Sequence, residues 1–324
     1  MRKGRLKRSD GLKKEEKARE NIMLFKKKQT QALAEAAEYA QVHGKSLWSD
    51  AWRRFKQNKA AVYSIIILLL ISIFVIVAPW IVRYTYDFTD WDNMQIPPSF
   101  STHHYLGTDL LGRDLLSRAA TGGRISLLVG VAGALVAVVI GTLYGAIAGF
   151  IGGKLDSLMM RFLEILNAFP FMFFVILLTT FFGRNLLLIF AAVGLVSWLD
   201  VARIVRGQTL SLKHKEFVEA ARVSGVAKRK IVTRHIIPNV LGVVMVYASL
   251  LVPGMIMFES FLSFLGLGVQ EPMTSWGSML QEGAISMEAA PWQLLVPSFF
   301  LVTTLFCFNF IGDGLRDALD PKDR

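Results

Sequence analysis

The chain has 324 residues, 53% of them hydrophobic, with 36 Lys plus Arg against 25 Asp plus Glu and one cysteine. The apolar residues are concentrated in long charge-free runs, which points to a membrane-spanning protein rather than a soluble domain. The lone Cys307 excludes a disulfide framework or a multi-cysteine metal site, and the five histidines never fall at the i, i+4 spacing of a helical metal site.

The segment 1–59 is a basic arm, with 17 Lys and Arg against 7 acids. Three readings are open for it: a solvated tail near anionic headgroups, a docking or regulatory element, or a nucleic-acid contact. No aromatic interleaving or nucleic-acid-binding motif accompanies the charge, so nucleic acid is not an expected partner. His43-Gly44-Lys45-Ser46 ends like a phosphate-binding loop but has Tyr39 where that motif needs its first glycine. Because the first apolar run begins only at residue 60, a cleavable signal peptide is not expected.

Residues 60–82 form 23 consecutive uncharged positions, enough to cross a hydrocarbon core of about 30 Å. Further apolar runs follow at 125–151, about 165–182, about 185–199, 236–258 and about 291–311. Six membrane helices are therefore expected, with spans three and four joined by a tight turn at Gly183-Arg184-Asn185. The expected divisions are the arm 1–59, a first span with its outer loop at 60–124, a helical transmembrane domain at 125–311, and a tail at 312–324. Positive charge sets the orientation. The arm is basic and the 200–235 segment carries nine Lys and Arg, whereas 266–290 carries none. Both termini are expected in the cytoplasm.

Before span two, Gly107 to Arg118 alternates charged residues with leucine pairs. This pattern predicts an amphipathic elbow helix at the interface, capped by Thr108. Span two carries Gly141, Gly145 and Gly149 at four-residue spacing, a smooth face for close helix packing or for lining a passage. At the outer end of span five stand Glu259 and Ser263. They are candidates for a translocation path, the alternative being structural pairing of a buried acid. Trp276 in the following loop is a candidate rigid anchor for an external partner. His103 and His104 are adjacent, and loop histidines are their plain reading. There is no G-x-S-x-G, no H-E-x-x-H and no carboxylate cluster with a histidine, so no catalytic residues are assigned.

The most informative stretch is the cytoplasmic loop at 213–238. Phe217, Ala220, Ala221 and Ser224 fall at helical spacing, giving a small flat face with one large anchor. Gly225 stands where a helix ends in a left-handed turn. A second, basic helix is expected over 227–234, and Pro238 lies near the start of span five. Such a knob is too small to be stable alone and fits a partner's groove, with Glu219 offering a charge to a basic partner residue.

Glu219-Ala220-Ala221, then Gly225, then Ile237-Pro238 resemble the EAA loop of ATP-binding-cassette import permeases. His235 departs from the general pattern, which has an aliphatic residue there. Arg234 to Asn239, the GTDLLGRDLLSR run at 107–118, LSFLGLG at 262–268 with Trp276-Gly277, and GDGLRDALDP at 312–321 are similar to the peptide-importer branch of that family. The resemblance covers about residues 47–321.

It implies a type I importer fold with six membrane helices, and a non-catalytic subunit in a prokaryotic cell membrane. A second homologous permease would complete a heterodimer, two cytoplasmic ATPases would dock on the loop, and an external binding protein would deliver peptide. ATP and Mg would sit on the partners, with no cofactor bound by this chain. Phe217, Glu219, Ala220, Ala221, Gly225 and Pro238 would then be the ATPase-coupling residues. Nickel-chelate and glutathione importers are close relatives and form the alternative. A self-contained secondary transporter would favour broken helices and midplane charges, which are sparse here.

Overall fold

The computed structural model describes residues 47–183 and 186–319. The basic arm through Ser46, the Arg184-Asn185 turn and the end of the tail lie outside the described residues. Two units divide the chain, 1–50 and 51–324. Among the described residues the regular structure is helical, apart from one isolated bridge between Thr108 and Asp114, and a long irregular loop joins Ile81 to Leu115.

Helix α1 (Leu47–Gln57) leads through Asn58 into α2 (Lys59–Ile81). Asn58 caps α2 by accepting the Ala61 N–H at 3.1 Å. Helix α3 (Leu115–Ile151) is capped by Asp114, whose Oδ2 accepts the Ser117 N–H at 2.8 Å. With 37 residues it is about 55 Å long and overruns a hydrocarbon core of about 30 Å. Helix α4 (Gly153–Ala168) follows, and then α5 (Phe171–Phe182), with a bend of 78° between them. Pro170 explains that break: it donates no hydrogen bond and biases Phe169 toward the extended conformation, at ψ 126°. The third expected span is therefore a bent pair rather than one straight helix.

Helix α6 (Leu186–Leu212) runs to the 213–238 loop, where α7 (Glu216–Val223) and α8 (Lys228–Ile231) are formed. Helix α8 passes through a π-helical stretch, Val232–Ile236, into α9 (Ile237–Phe264). The expected separate basic helix over 227–234 is thus the first part of one 37-residue span, Lys228–Phe264. A short α10 (Trp276–Ile285) and a long α11 (Trp292–Leu319) complete the chain. Among the described residues, four helices are long and apolar enough to cross a membrane: α2, α3, α8–α9 and α11. The bent α4–α5 pair makes a fifth.

Helix α3 is central and touches α2, α4, α6, α9, α10 and α11. The main core lies between α3, α9, α10 and α11 around fully buried Trp276, Ile256, Met255 and Leu262. A second cluster, built on Ala146, Val205, Val218, Ile231, Ile236 and Val240, ties the 213–238 loop to the bundle.

The predicted elbow helix before span two is absent. Gly107 and Gly112 take φ of +82° and +77°, conformations that no continuing α-helix contains. Asp109 Oδ1 accepts the N–H groups of Leu111 and Arg113 at 2.8 and 2.9 Å and closes a local turn that competes with helix. Thr108 is not a helix cap. Its hydroxyl donates to the Asn93 carbonyl at 2.7 Å and accepts from the Ile96 N–H at 2.9 Å, stitching the 83–114 loop together.

Candidate functional site

Helix α7 is a knob held from beneath. Val218 and Ala221 point into the second core cluster, while Phe217, Glu219, Ala220 and Val223 remain exposed. Val223 is 89% exposed and Phe217 41%, an apolar display that a loop without a partner has no reason to make. Ala221, grouped with the outward face in the sequence expectation, instead faces the chain's own bundle. Val218, not singled out by sequence, shares that role. The Ser224 and Gly225 N–H groups bond the Ala220 and Arg222 carbonyls at 2.9 and 3.1 Å, and the Val226 N–H bonds the Ala221 carbonyl at 3.1 Å. Gly225 itself has φ +75°, the left-handed conformation that ends a helix without a steric penalty.

Arg222 lies over the Phe150 ring at 5.8 Å, and Lys213 donates to the Gly149 carbonyl at 3.1 Å. These contacts join the knob to the end of α3. Pro238 is exposed and follows directly on the π-helical stretch Val232–Ile236, inside the continuous Lys228–Phe264 span.

From the knob, α6 leads back along α3. Gly141, Gly145 and Gly149 are buried against it. A Cβ at Gly141 would lie 2.6 Å from Val201 Cβ, one at Gly145 2.3 Å from the Ala202 carbonyl oxygen, and one at Gly149 2.8 Å from the Arg206 carbonyl oxygen. The two backbones touch with no side-chain layer between them. Nearby, Arg206 grips Asp156 of α4 through two bonds of 2.5 and 2.7 Å.

At the other end of the bundle Glu259 is completely buried. Its Oε1 accepts from Ser263 at 2.7 Å and its Oε2 from Ser126 of α3 at 2.9 Å. Ser126 in turn accepts the Trp276 backbone N–H at 3.2 Å. Neither Glu259 nor Ser263 faces an open passage in this conformation. Their hydrogen bonds bind α9 to α3 and α10. Trp276 is also fully buried and donates its indole N–H to the Ala119 carbonyl at 2.9 Å, so it is a core residue and not an exposed docking anchor.

The 83–114 loop and α10 meet in a charge cluster that sequence reading missed. Arg113 donates to Asp109 at 2.6 Å, Glu271 at 2.9 Å and Glu282 at 3.3 Å. Desolvation opposes its charge, but the facing carboxylates outweigh that and hold the guanidinium pKa above its usual value. His104 is completely buried, with Nδ1 3.0 Å from Asp114 and its ring stacked on Tyr84. Burial pushes the Asp114 carboxyl above the usual range, against the opposing pull of the Ser117 N–H and His104.

Residues 137–324 match the family model described as the binding-protein-dependent transport system inner membrane component. Residues 46–98 match the N-terminal TM domain of oligopeptide transport permease C. The chain belongs to the binding-protein-dependent transport permease family. It is 68% identical over 302 residues to the oligopeptide transport system permease protein of Escherichia coli (strain K12), covering 93% of this chain and 100% of that one. The oligopeptide permease of Haemophilus influenzae is 66% identical over 292 residues, covering 90% of this chain and 94% of that one. A dipeptide transport permease of Bacillus subtilis is 42% identical over 280 residues, covering 86% and 87%. Membership of this permease family makes the chain a multi-pass membrane transport subunit and not an enzyme.

Proposed function

We propose that this chain is one of two permease subunits of an ATP-driven importer of oligopeptides, in the inner membrane of a prokaryote. The observation that carries the substrate class is the 66–68% identity to oligopeptide permeases over nine-tenths of the chain. A second homologous permease completes the passage as a heterodimer. Two cytoplasmic ATPases hold ATP and Mg, and an external binding protein delivers peptide.

Helix α6 supplies a sixth crossing. Its 27 residues open on an apolar stretch and pack backbone to backbone on α3. Six crossings return both termini to the cytoplasm, in keeping with the basic arm and the nine basic residues at 200–235. The segment from α7 to α8 then lies beside the ATPases. Exposed Phe217, Ala220 and Val223 provide an apolar contact, and Glu219 a charge. Nucleotide binding on the partners favours one arrangement of the knobs over the other, and that difference in affinity drives the bundle between outward- and inward-open states.

The test is reconstitution of the chain with its second permease, ATPases and binding protein in sealed vesicles. Labelled oligopeptide should accumulate only with ATP and binding protein. Accumulation of a nickel chelate or glutathione with no peptide uptake would refute the substrate class and leave the permease reading intact.

A further inference from the structure

Arg118 stands in the first turn of α3 and is 1% exposed. One guanidinium nitrogen bonds Asp109 and also Glu282 Oε2, the latter at 2.6 Å; the other bonds Glu282 Oε1 at 2.8 Å and Thr274 at 3.4 Å. The fork thus grips both oxygens of a carboxylate on α10 while holding the outer loop with the same group.

The grip continues along both helices. Trp276, the first residue of α10, donates its indole N–H to Ala119 and its backbone N–H to Ser126, both on α3. Between those points a Cβ on Gly122 would come within 3.2 Å of Ser275 Cα. On the other faces of α10, a Cβ on Gly277 would fall 2.4 Å from Ser260 Cα of α9, and one on Gly283 2.5 Å from the Gln293 carbonyl oxygen of α11. Helix α10 therefore meets three long helices backbone to backbone. Contacts of that kind do not deform gradually, because the packed interior has no free volume to absorb a slide. Moving α10 alone would also take Glu282 away from buried Arg118 and leave that guanidinium with Asp109 as its one carboxylate, a costly rearrangement.

We propose that Arg118 is a positioning residue that makes α10 and the outer ends of α3, α9 and α11 one rigid body. The outer passage then opens by movement of this whole body against the second permease, and not by α10 swinging away from α3. The inference rests on the importer reading above and adds to it which part of this chain stays fixed during the cycle.

The experiment uses the assembled complex with Cys307→Ala and spin labels at Leu128 of α3 and Ile285 of α10, both exposed. Distances are read by pulsed electron resonance without nucleotide, and again with ATP trapped and loaded binding protein present. The 128–285 distance should be the same in both states, while a label pair from Ile285 to the second permease should shift. In Arg118→Met the 128–285 distribution should broaden, and stimulation of ATP hydrolysis by loaded binding protein should fall about tenfold with basal hydrolysis retained. Adding Glu282→Gln, which removes the carboxylate left with Arg113 alone as its cation, should restore complex yield but should not restore stimulation, which a purely structural role would recover.

A state-dependent shift of the 128–285 distance in the wild type overturns the proposal, and so does a narrow distribution with normal stimulation in Arg118→Met. If Arg118→Met does not assemble, Arg118→Lys, which keeps the charge and loses the two-pronged grip on Glu282, is read by the same distance and stimulation measurements. A wild-type complex that loaded binding protein never stimulates would remove the importer reading itself, and the proposal with it.

Discussion

Arg124 of α3 supplies the hydrogen bond that Pro79 removes from α2. Pro79 has no N–H for the carbonyl four residues earlier, and that carbonyl, on Val75, accepts Arg124 Nε at 2.9 Å. Nη2 of the same arginine reaches the Ile76 carbonyl at 2.6 Å, and the guanidinium lies over Trp80 at 5.9 Å. One cation on a neighbouring span thus satisfies the backbone of a proline-interrupted span, as a medium without water requires.

Arg124→Met should therefore destabilise the protein by about 1–3 kcal/mol, the cost of leaving a buried carbonyl unpaired. Pro79→Ala restores the N–H that α2 lacks and should recover most of that loss in the double variant. Thermal unfolding of the purified complex measures both. Losses that simply add would show that Arg124 acts some other way.

The glycine face of α3 gives a second expectation. Gly145→Val places a Cβ 2.3 Å from the Ala202 carbonyl oxygen, and backbone cannot rotate away as a side chain can. The cost should reach or exceed about 3 kcal/mol, the upper range for overpacking. Gly242→Ala meets nothing within 4 Å and should be neutral or stabilise by roughly 0.5–1 kcal/mol through helix propensity. Equal melting temperatures for the two variants would contradict the close α3–α6 approach.

Topology is open to direct labelling. With Cys307→Ala, a cysteine at Ile285 should react with an impermeant maleimide from outside intact cells. One at Val223 should react only in inverted membranes prepared without the ATPase partners. These positions are 77% and 89% exposed, so access is not limited by packing. The reverse pattern would invert the assignment of α7 to the cytoplasm.

The family and the apolar spans were legible because both are written locally. Twenty-three uncharged residues from Ala60, or Glu219-Ala220-Ala221 followed by Gly225, carry their meaning at short range. The Gly107–Arg118 segment misled because its leucine spacing suits a helix, while two positive-φ glycines and the Asp109 turn forbid one. Ala220 and Ala221 are alike in sequence, and only the bundle beneath decides that Ala221 is the buried one. The Arg118–Glu282 pair spans 164 positions, and nothing in either neighbourhood names the other. The same is true of Arg124 and the carbonyl exposed by Pro79. Long-range polar pairing becomes visible only once the helices are placed.

The central claim is that the knob ending at Gly225 transmits ATP hydrolysis to the bundle. Glu219→Arg should repel a basic partner residue at a dry contact, which costs several kcal/mol. Gly225→Val forces a β-branched residue to φ +75°, at about 1–2 kcal/mol or more, and re-aims α7 against α8. The measurement is ATP hydrolysis by the reconstituted complex carrying both changes, with and without peptide-loaded binding protein. Stimulation should be lost while the binding protein still retains peptide. Stimulation equal to the wild type would contradict the assignment of this loop as the coupling element.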